Sequence, residues 1–313
     1  MRLAQQTVIL LALVCQYTYA QPPRPIDRTE DRTQILAEIE AISKGYVGRD
    51  PAPFERVYVE NYVSIRERPI YNLRDQLVAM MKADSIILGA GKKLDYETLI
   101  YETENPALRF FGRAAIVTSK KRNYWQYRGQ KCLTKTTATE LWIKPEAEWR
   151  QAAAHVTTFQ CDAKPFHPIH PAVALLPIRG KPTANTDRET ELAIRRIVDE
   201  IGRSKTSAEE PFDLVVKKHL AKDFVSTNLE GEFGRDASFI ASIPGPGSAR
   251  QPGFRTQDEV ILVYPAAAIY TFRVRGSSAS SPKGAPVQVS VFFAKYEGRW
   301  QIVATHASRS LSE

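Results

Sequence analysis

The spacing of hydrophobic positions divides the chain into two stretches that each begin helical and end in strands. Ile35, Leu36, Ile39, Ile42 and Tyr46 recur at three- and four-residue steps, the period of one buried helix face. A short helix is expected near residues 54–61. Asn72 is placed to cap a third helix through Leu73, Leu77, Val78 and Met81, since its side chain can accept from the free N–H groups of a first turn. From Leu94 the texture changes to long runs rich in Thr, Val, Tyr and Trp, which predict strands, with Pro145-Glu146-Ala147-Glu148 as a hairpin turn. The second stretch opens with a helix at residues 191–201 and closes with a hairpin turning at Glu297-Gly298. Helices first and antiparallel strands afterwards is an α+β order.

The two stretches repeat one another. Pro53-Phe54-Glu55 returns as Pro211-Phe212-Asp213, and Tyr62-Val63-Ser64 as Phe224-Val225-Ser226. Ala114-Ala115-Ile116-Val117-Thr118 returns as Ala267-Ala268-Ile269-Tyr270-Thr271, and both Trp149 and Trp300 are followed six residues later by a histidine, His155 and His306. The matches keep their order at offsets of 151 to 162 residues, the signature of a duplicated domain. Between the copies, residues 162–186 carry Pro165, Pro168, Pro171, Pro177 and Pro182, a composition that reads as a semi-rigid tether.

Length and charge fit this division. A chain of 313 residues suits two domains, and 43% hydrophobic with 25% charged residues lets each bury a core. Residues 1–20 hold one charge, Arg2, then the apolar run from Val8 to Val14 and a small residue, Ala20, which is the plan of a cleaved secretory signal and too short for a permanent anchor. A secreted or periplasmic protein is expected, cleaved near Ala20 and without a membrane span thereafter. Loss of Arg2 lowers the net charge from +8 to +7, and the one dense basic run, Lys120-Lys121-Arg122, reads as a solvated strand end or loop, so nucleic acid is not an expected partner.

The ending Glu297-Gly298-Arg299-Trp300-Gln301-Ile302-Val303-Ala304-Thr305-His306, with its looser copy from Glu148-Trp149-Arg150 to His155, resembles the last hairpin of nuclear-transport-factor-2-like proteins, in the SnoaL-like branch of unknown function. The resemblance covers residues 31–161 and 188–310. It implies two tandem cone-shaped domains, each with three N-terminal helices packed on a strongly curved antiparallel sheet that encloses a pocket. It also implies pairing through the sheets, as an intramolecular pseudo-dimer or a homodimer. Residues 243–253 of the second copy depart from the pattern, because a Pro/Gly-rich stretch replaces strand sequence.

If Lys144 and Trp149 close the first hairpin, Cys132 falls opposite Cys161, within near reach of a disulfide that would stabilise by about 3 to 4 kcal/mol. Removal of the signal takes Cys15 and leaves this pair alone in an oxidising compartment. The same register sets Glu140, Trp142, Trp149, His155, Thr134 and Thr136 on one face, with Glu140 diagonal to His155. A carboxylate beside an imidazole can serve as a general base or merely as a structural hydrogen bond. The second copy has Val291 where the first has Glu140, so any such chemistry belongs to the first copy.

Tyr46, Tyr58, Tyr62, Trp125 and Tyr127, with Trp142 and His306, are candidates to line a pocket for a small apolar ligand, although an aromatic stripe is more often plain core. His167-Pro168-Ile169-His170 offers too few ligands for a metal. No phosphate loop or nucleophile elbow is present, and no cofactor is expected. The reading is an exported, non-catalytic module that binds a small ligand or a partner. The alternative is an isomerase, cyclase or dehydratase acting on a small hydrophobic substrate through His155 and Glu140.

Overall fold

Two six-stranded sheets with the same strand order carry the chain. The structure is a computed structural model that describes residues 27–66, 72–127, 130–159, 187–205, 211–237, 240, 254–276 and 286–309. The first half runs α1 (Thr29–Gly48), α2 (Ala52–Val57), β1 (Tyr58–Ile65), β2 (Asn72–Leu73), α3 (Arg74–Gly89), β3 (Tyr96–Phe111), β4 (Ala114–Tyr127), β5 (Gln130–Ile143) and β6 (Arg150–Phe159). The second runs α4 (Arg188–Ser204), α5 (Phe212–His219), β7 (Leu220–Thr227), β8 (Phe233–Gly234), β9 (Phe254–Tyr264), β10 (Ala267–Gly276), β11 (Val287–Tyr296) and β12 (Arg299–Arg309). The sheets are ordered β2-β1-β6-β5-β4-β3 and β8-β7-β12-β11-β10-β9, so the fold is α+β with one topology used twice.

Local chemistry explains where the elements depart from the expected ones. The short second helix stops at Val57, and Tyr58 is already extended (φ −82°, ψ 134°), because the run Val57-Tyr58-Val59 is β-branched and aromatic and Tyr58 pairs with Gln151. Asn72 falls in a two-residue strand, paired with Ser64, and the third helix begins two residues later at Arg74. The sheets are antiparallel except where β1 runs parallel to β6 and β7 runs parallel to β12. Among the described residues the second half has two helices, not three. The leader, the proline-rich segment and residues 243–253 lie outside the described residues.

Three cores result. One lies between the helices and inner face of the first sheet, around Ile35, Phe54, Met81, Trp142 and Trp149, and a second occupies the same place in the other half, around Ile194, Ile201, Tyr270, Phe272 and Phe293. The third lies between the outer faces of the sheets, where Val63, Ile116, Leu141 and Ala153 meet Val225, Ile269, Phe292 and Ala304. Both faces of residues 114–119 of β4 and 137–143 of β5 are therefore buried, which is why Ala114-Ala115-Ile116-Val117 is continuously apolar where a half-exposed strand would alternate. Each fully buried aliphatic side chain in that third core contributes about 1.5 to 3 kcal/mol.

The last hairpin of each half contains one slip. Ile143 faces Arg150 and Trp142 faces Gln151, but Leu141 then faces Ala153, leaving Ala152 as the extra residue of a β-bulge. In the second half Phe293 faces Ile302 and Phe292 faces Ala304, so Val303 is extra at the corresponding place. Beyond each slip every side chain of the final strand changes face relative to an unbroken ladder.

A turn of the second half also closes against the first. Asn228 Oδ1 accepts from the N–H groups of Glu230 (3.1 Å) and Glu232 (2.8 Å), and Gly231 sits at φ +72° with its carbonyl accepting from Thr137 Oγ1 at 3.2 Å. A Cβ at Gly231 would enter the Phe159 ring and lie 2.7 Å from Thr137 Oγ1. Gly231→Ala is therefore expected to destabilise by about 1 to 3 kcal/mol, from the left-handed backbone and the lost close approach together. Denaturant unfolding measures this, and an unchanged midpoint would mean that the two halves do not meet closely here.

Candidate functional site

Strand alternation decides which side chains enter the first domain. On β4 the inward set is Ala115, Val117, Ser119, Lys121 and Asn123, and on β5 it is Trp142, Glu140, Ala138, Thr136 and Thr134, each facing its partner across the ladder. The basic run thus splits by period two. Lys120 and Arg122 are exposed, with Arg122 paired to Glu102 and Glu104, while Lys121 turns inward and is not a solvated surface residue.

Lys121 Nζ pairs with Glu140 Oε1, their side chains 11% and 2% exposed, and Trp142 Nε1 donates to Glu140 Oε2 at 3.2 Å. Tyrosines surround this pair. Tyr58 and Tyr62 stack with ring centroids 4.0 Å apart, Tyr46 stacks on Tyr101 at 4.5 Å, and Lys121 Nζ lies 5.9 Å from the Tyr101 ring centre. Of the aromatic pocket candidates, Tyr46, Tyr58, Tyr62 and Trp142 line this interior. Trp125 lies further along β4, half-buried, packed 5.6 Å from Tyr96 and donating to Thr134 Oγ1 at 2.8 Å. Tyr127 ends the strand opposite Gln130, and its side chain is outside the described set.

Burial alone would pull the Lys121 ammonium down, but the Glu140 carboxylate and the Tyr101 hydroxyl outweigh it and hold the group above its ordinary range. Burial raises the phenols of Tyr46, Tyr58 and Tyr62 as well, so all three stay protonated at neutral pH. Neither the ammonium nor a phenol is tuned toward the pH at which a proton shuttle works. The arrangement stacks and hydrogen-bonds. Three polar atoms bordering Lys121 have no hydrogen-bond partner among the described residues: Ser119 Oγ, Asn123 Oδ1 and Thr103 Oγ1, the last on the residue facing Lys121 from β3.

A second buried pair, Arg49 with Asp84 at 3.5 Å, joins the ends of α1 and α3, and Arg49 also donates to Thr98 Oγ1 at 3.2 Å. At the other end of α1, Asp31 accepts from Lys144 and Trp149 Nε1, both at 2.8 Å, and from Arg28. Burial works against ionisation of Asp31, yet these donors lower its pKa to about 2. Both clusters hold helices to the sheet.

The second half lacks the interior site. The ladders β4/β5 and β10/β11 align Ser119 with Phe272, Lys121 with Val274, Glu140 with Val291 and Trp142 with Phe293. Its interior is a plain apolar core.

His155 is not beside Glu140. The bulge at Ala152 places Glu140 opposite Ala154 and His155 opposite Thr139, on opposite faces of the sheet, which removes the acid/base pair expected from an unbroken register. His155 instead enters the interface between the sheets, where its Nδ1 meets Ser290 Oγ at 2.7 Å and its Nε2 meets Ser308 Oγ at 2.8 Å. His306, expected in a pocket, does the same in reverse: Nδ1 meets Thr139 Oγ1 at 2.9 Å and Nε2 meets Thr157 Oγ1 at 2.8 Å. Thr139 and Ser290 are corresponding residues, as are Thr157 and Ser308, so the cluster has a local two-fold relation. The imidazoles stack at 4.1 Å, and both are fully buried.

Cys132 is buried on β5, and Cys161 lies outside the described residues. The last pair of the ladder, Lys135 with Phe159, is displaced by one residue from the spacing that set the cysteines directly opposite. Among the described residues no group of three His, Cys, Asp or Glu side chains is placed to hold a metal, and His167 and His170 lie outside them. No helix among them is long and apolar enough to cross a membrane.

No family model matches the chain, and no curated protein matches it. Solved structures do. They include an NTF2-like protein from Cytophaga hutchinsonii (11% identity, 41% of this chain and 98% of that one, TM-score 0.35). An NTF2-like protein of unknown function in nutrient uptake from Rhodospirillum rubrum gives 12% identity, 40% and 98% coverage, and a TM-score of 0.34. LinA gives 12% identity, 46% and 94% coverage, and a TM-score of 0.37. Each spans less than half of this chain, and the architecture stands on the two sheets themselves.

The histidine pair sets a pH dependence. Burial lowers His155 to about pKa 3 and His306 well below its ordinary value, the latter further disfavoured by a charge on His155. An unfolded imidazole binds its proton near pH 6.5. At His155 the unfolded chain therefore carries more protons between pH 6.5 and 3, and stability is full above 6.5 and falls through that window by about 1.4 kcal/mol per pH unit, with His306 acting in the same direction. Denaturant unfolding at pH 7 and pH 5 is expected to differ by about 2 kcal/mol from His155, with His306 adding in the same direction. In the double variant His155→Gln with His306→Gln the slope should flatten; an unchanged slope would place the acid sensitivity elsewhere.

Proposed function

We propose that the protein is an exported, non-catalytic module that holds a small molecule inside the first domain, while the second domain serves as a built-in partner covering the outer face of the first sheet. One observation carries this reading: Lys121 and Glu140 are buried in the first domain, where the second has Val274 and Val291 on the same ladder. Replacing a buried ion pair by well-packed apolar residues is often neutral or stabilising by about 1 to 4 kcal/mol, so stability gives no reason to keep it. The unpartnered Ser119, Asn123 and Thr103 atoms beside it point the same way, since buried polar groups ordinarily find partners. The isomerase, cyclase or dehydratase reading rested on His155 beside Glu140 and loses that support. Pairing within the chain is favoured over a homodimer through the same surface, because the outer face of the first sheet is already covered.

Export rests on the leader at residues 1–20, and a Cys132–Cys161 disulfide belongs with it. Intact mass of protein recovered from a secreting host is expected to begin after Ala20 and to gain two hydrogens on reduction; an uncleaved chain or two alkylatable thiols would remove the corresponding claim.

Paired substitution tests the site. Lys121→Val or Glu140→Val alone should destabilise by about 3 to 5 kcal/mol, because each strands a buried charge. The double variant should recover to wild-type stability or above. A double variant as unstable as the singles would make the pair part of the scaffold and end the ligand reading.

A further inference from the structure

We propose that the two stacked histidines and their hydroxyl partners form an acid-operated latch between the halves: charging an imidazole parts the sheets at that end of their interface, while each half keeps its own sheet and core and the apolar end serves as the hinge. The latch is independent of any molecule held in the first domain.

The interface is graded along its strands. At one end stand Leu141, Ala153, Phe292 and Ala304 of the third core. Two residues further along the same faces come Thr139, His155, Ser290 and His306, and two further again Thr137, Thr157, Gln288 and Ser308. The Gly231 turn lies against the last of these, its carbonyl taking the Thr137 hydroxyl. All four hydrogen bonds of the two rings cross from one half to the other. The separate cores around Ile35 and Ile194 include none of these residues, so a charged imidazole first costs contact between the halves and leaves each half its own packing.

The hydrogen-bond directions fit a neutral ring. Thr271 donates to Val289 O at 3.1 Å and Ser290 donates to Thr271 Oγ1 at 3.3 Å, so Ser290 Oγ is left to accept the Nδ1 proton of His155. His155 Nε2 then carries no proton and accepts from Ser308 Oγ at 2.8 Å. A protonated ring donates from both nitrogens and turns the Ser308 hydroxyl away. Both rings are fully buried and stacked at 4.1 Å, so a second charge would meet the first across that gap. The charged residues of the surrounding strands sit at exposed or half-buried positions: Lys120 on β4, Lys135 on β5, Asp223 on β7, Arg273 with Asp258 across β10 and β9, and Glu230 of the turn with Arg309 of β12. Beside the rings themselves β1 brings Ile65 and β7 brings Thr227, neither a charge. Parting the sheets returns the imidazoles to water and relieves the burial that holds His155 near pKa 3. The closed form is therefore fully favoured above pH 6.5, and between 6.5 and 3 the open form gains about tenfold per pH unit from His155, with His306 adding in the same direction.

The chain from Gln21 onward, with isotopically labelled histidines, is followed by imidazole NMR, small-angle scattering and far-UV circular dichroism as the pH is lowered from about 7.5 to about 4. At neutral pH His155 is expected as the neutral form protonated on Nδ1. On acidification a second, protonated set of imidazole signals is expected to grow against the first by about tenfold per pH unit, with a larger radius of gyration and an unchanged dichroism spectrum. Ser308→Ala, which removes the hydroxyl that the neutral Nε2 depends on, is expected to move this change to higher pH, and His155→Gln with His306→Gln is expected to abolish it. Protonated signals that arise only as the dichroism collapses mean that the chain unfolds as one body, and overturn the latch. Protonation in the ordinary histidine range with no change in scattering overturns it too, as does an opening that persists in the double variant. Should the double variant not fold, a transition that stays in place in Ser308→Ala is the overturning result.

Discussion

The structure depends on one residue too many in the last strand of each half. In an unbroken β5/β6 ladder His155 would point inward beside Glu140; with Ala152 extra, the tip of the strand turns its polar residues outward and leaves the interior to β4 and β5. The repeat of the slip at Val303 presents His306 in the same way, so that each histidine finds two hydroxyls on the opposite sheet. Without the bulges the sheets would meet with their histidines inside separate cores and no polar register between them.

Much of this frame is legible in the residues. The helical spacing of Ile35 to Tyr46, the turns at residues 145–148 and Glu297-Gly298, and the ordered repeats follow from local rules that tertiary structure does not disturb. The bulge is not legible, for a physical reason. Ala152, Ala153 and Ala154 are identical and small, and all are buried, so no alternation of polar and apolar side chains marks which is extra. Lys121 is hidden differently: within a basic triplet its charge suggests solvent, and only the strand period, which sends Lys120 and Arg122 outward, shows that the middle residue goes in. Of the proposed pocket residues, those on α1 and β1 were recoverable because aromatic side chains at those spacings face the core whichever register the sheet adopts.

The two halves use one topology for different ends. The second fills its interior with apolar side chains, Tyr270 and Phe272 among them, and its described strands β9 to β11 are shorter than β3 to β5. The first buries charge and hydroxyls, which a small domain tolerates only when the rest of its surface is well covered. The third core supplies that cover. A duplicated domain can thus diverge, one copy keeping the packing and the other departing from it around Lys121.

The third core also bears on how the chain is made. Synthesis delivers the first half before the second, and until β7 and β9 to β12 exist the outer face of β4 and β5, with Ile116, Leu141 and Ile143, lacks the residues that complete the third core. For that interval the nascent protein carries a bare apolar sheet, the kind of surface on which chains aggregate or exchange domains with one another. Because the histidine and hydroxyl positions correspond in the two halves, a neighbouring chain offers nearly the same complement as the correct one. Covalent attachment favours the correct partner through local concentration, and crowding of nascent chains works against it.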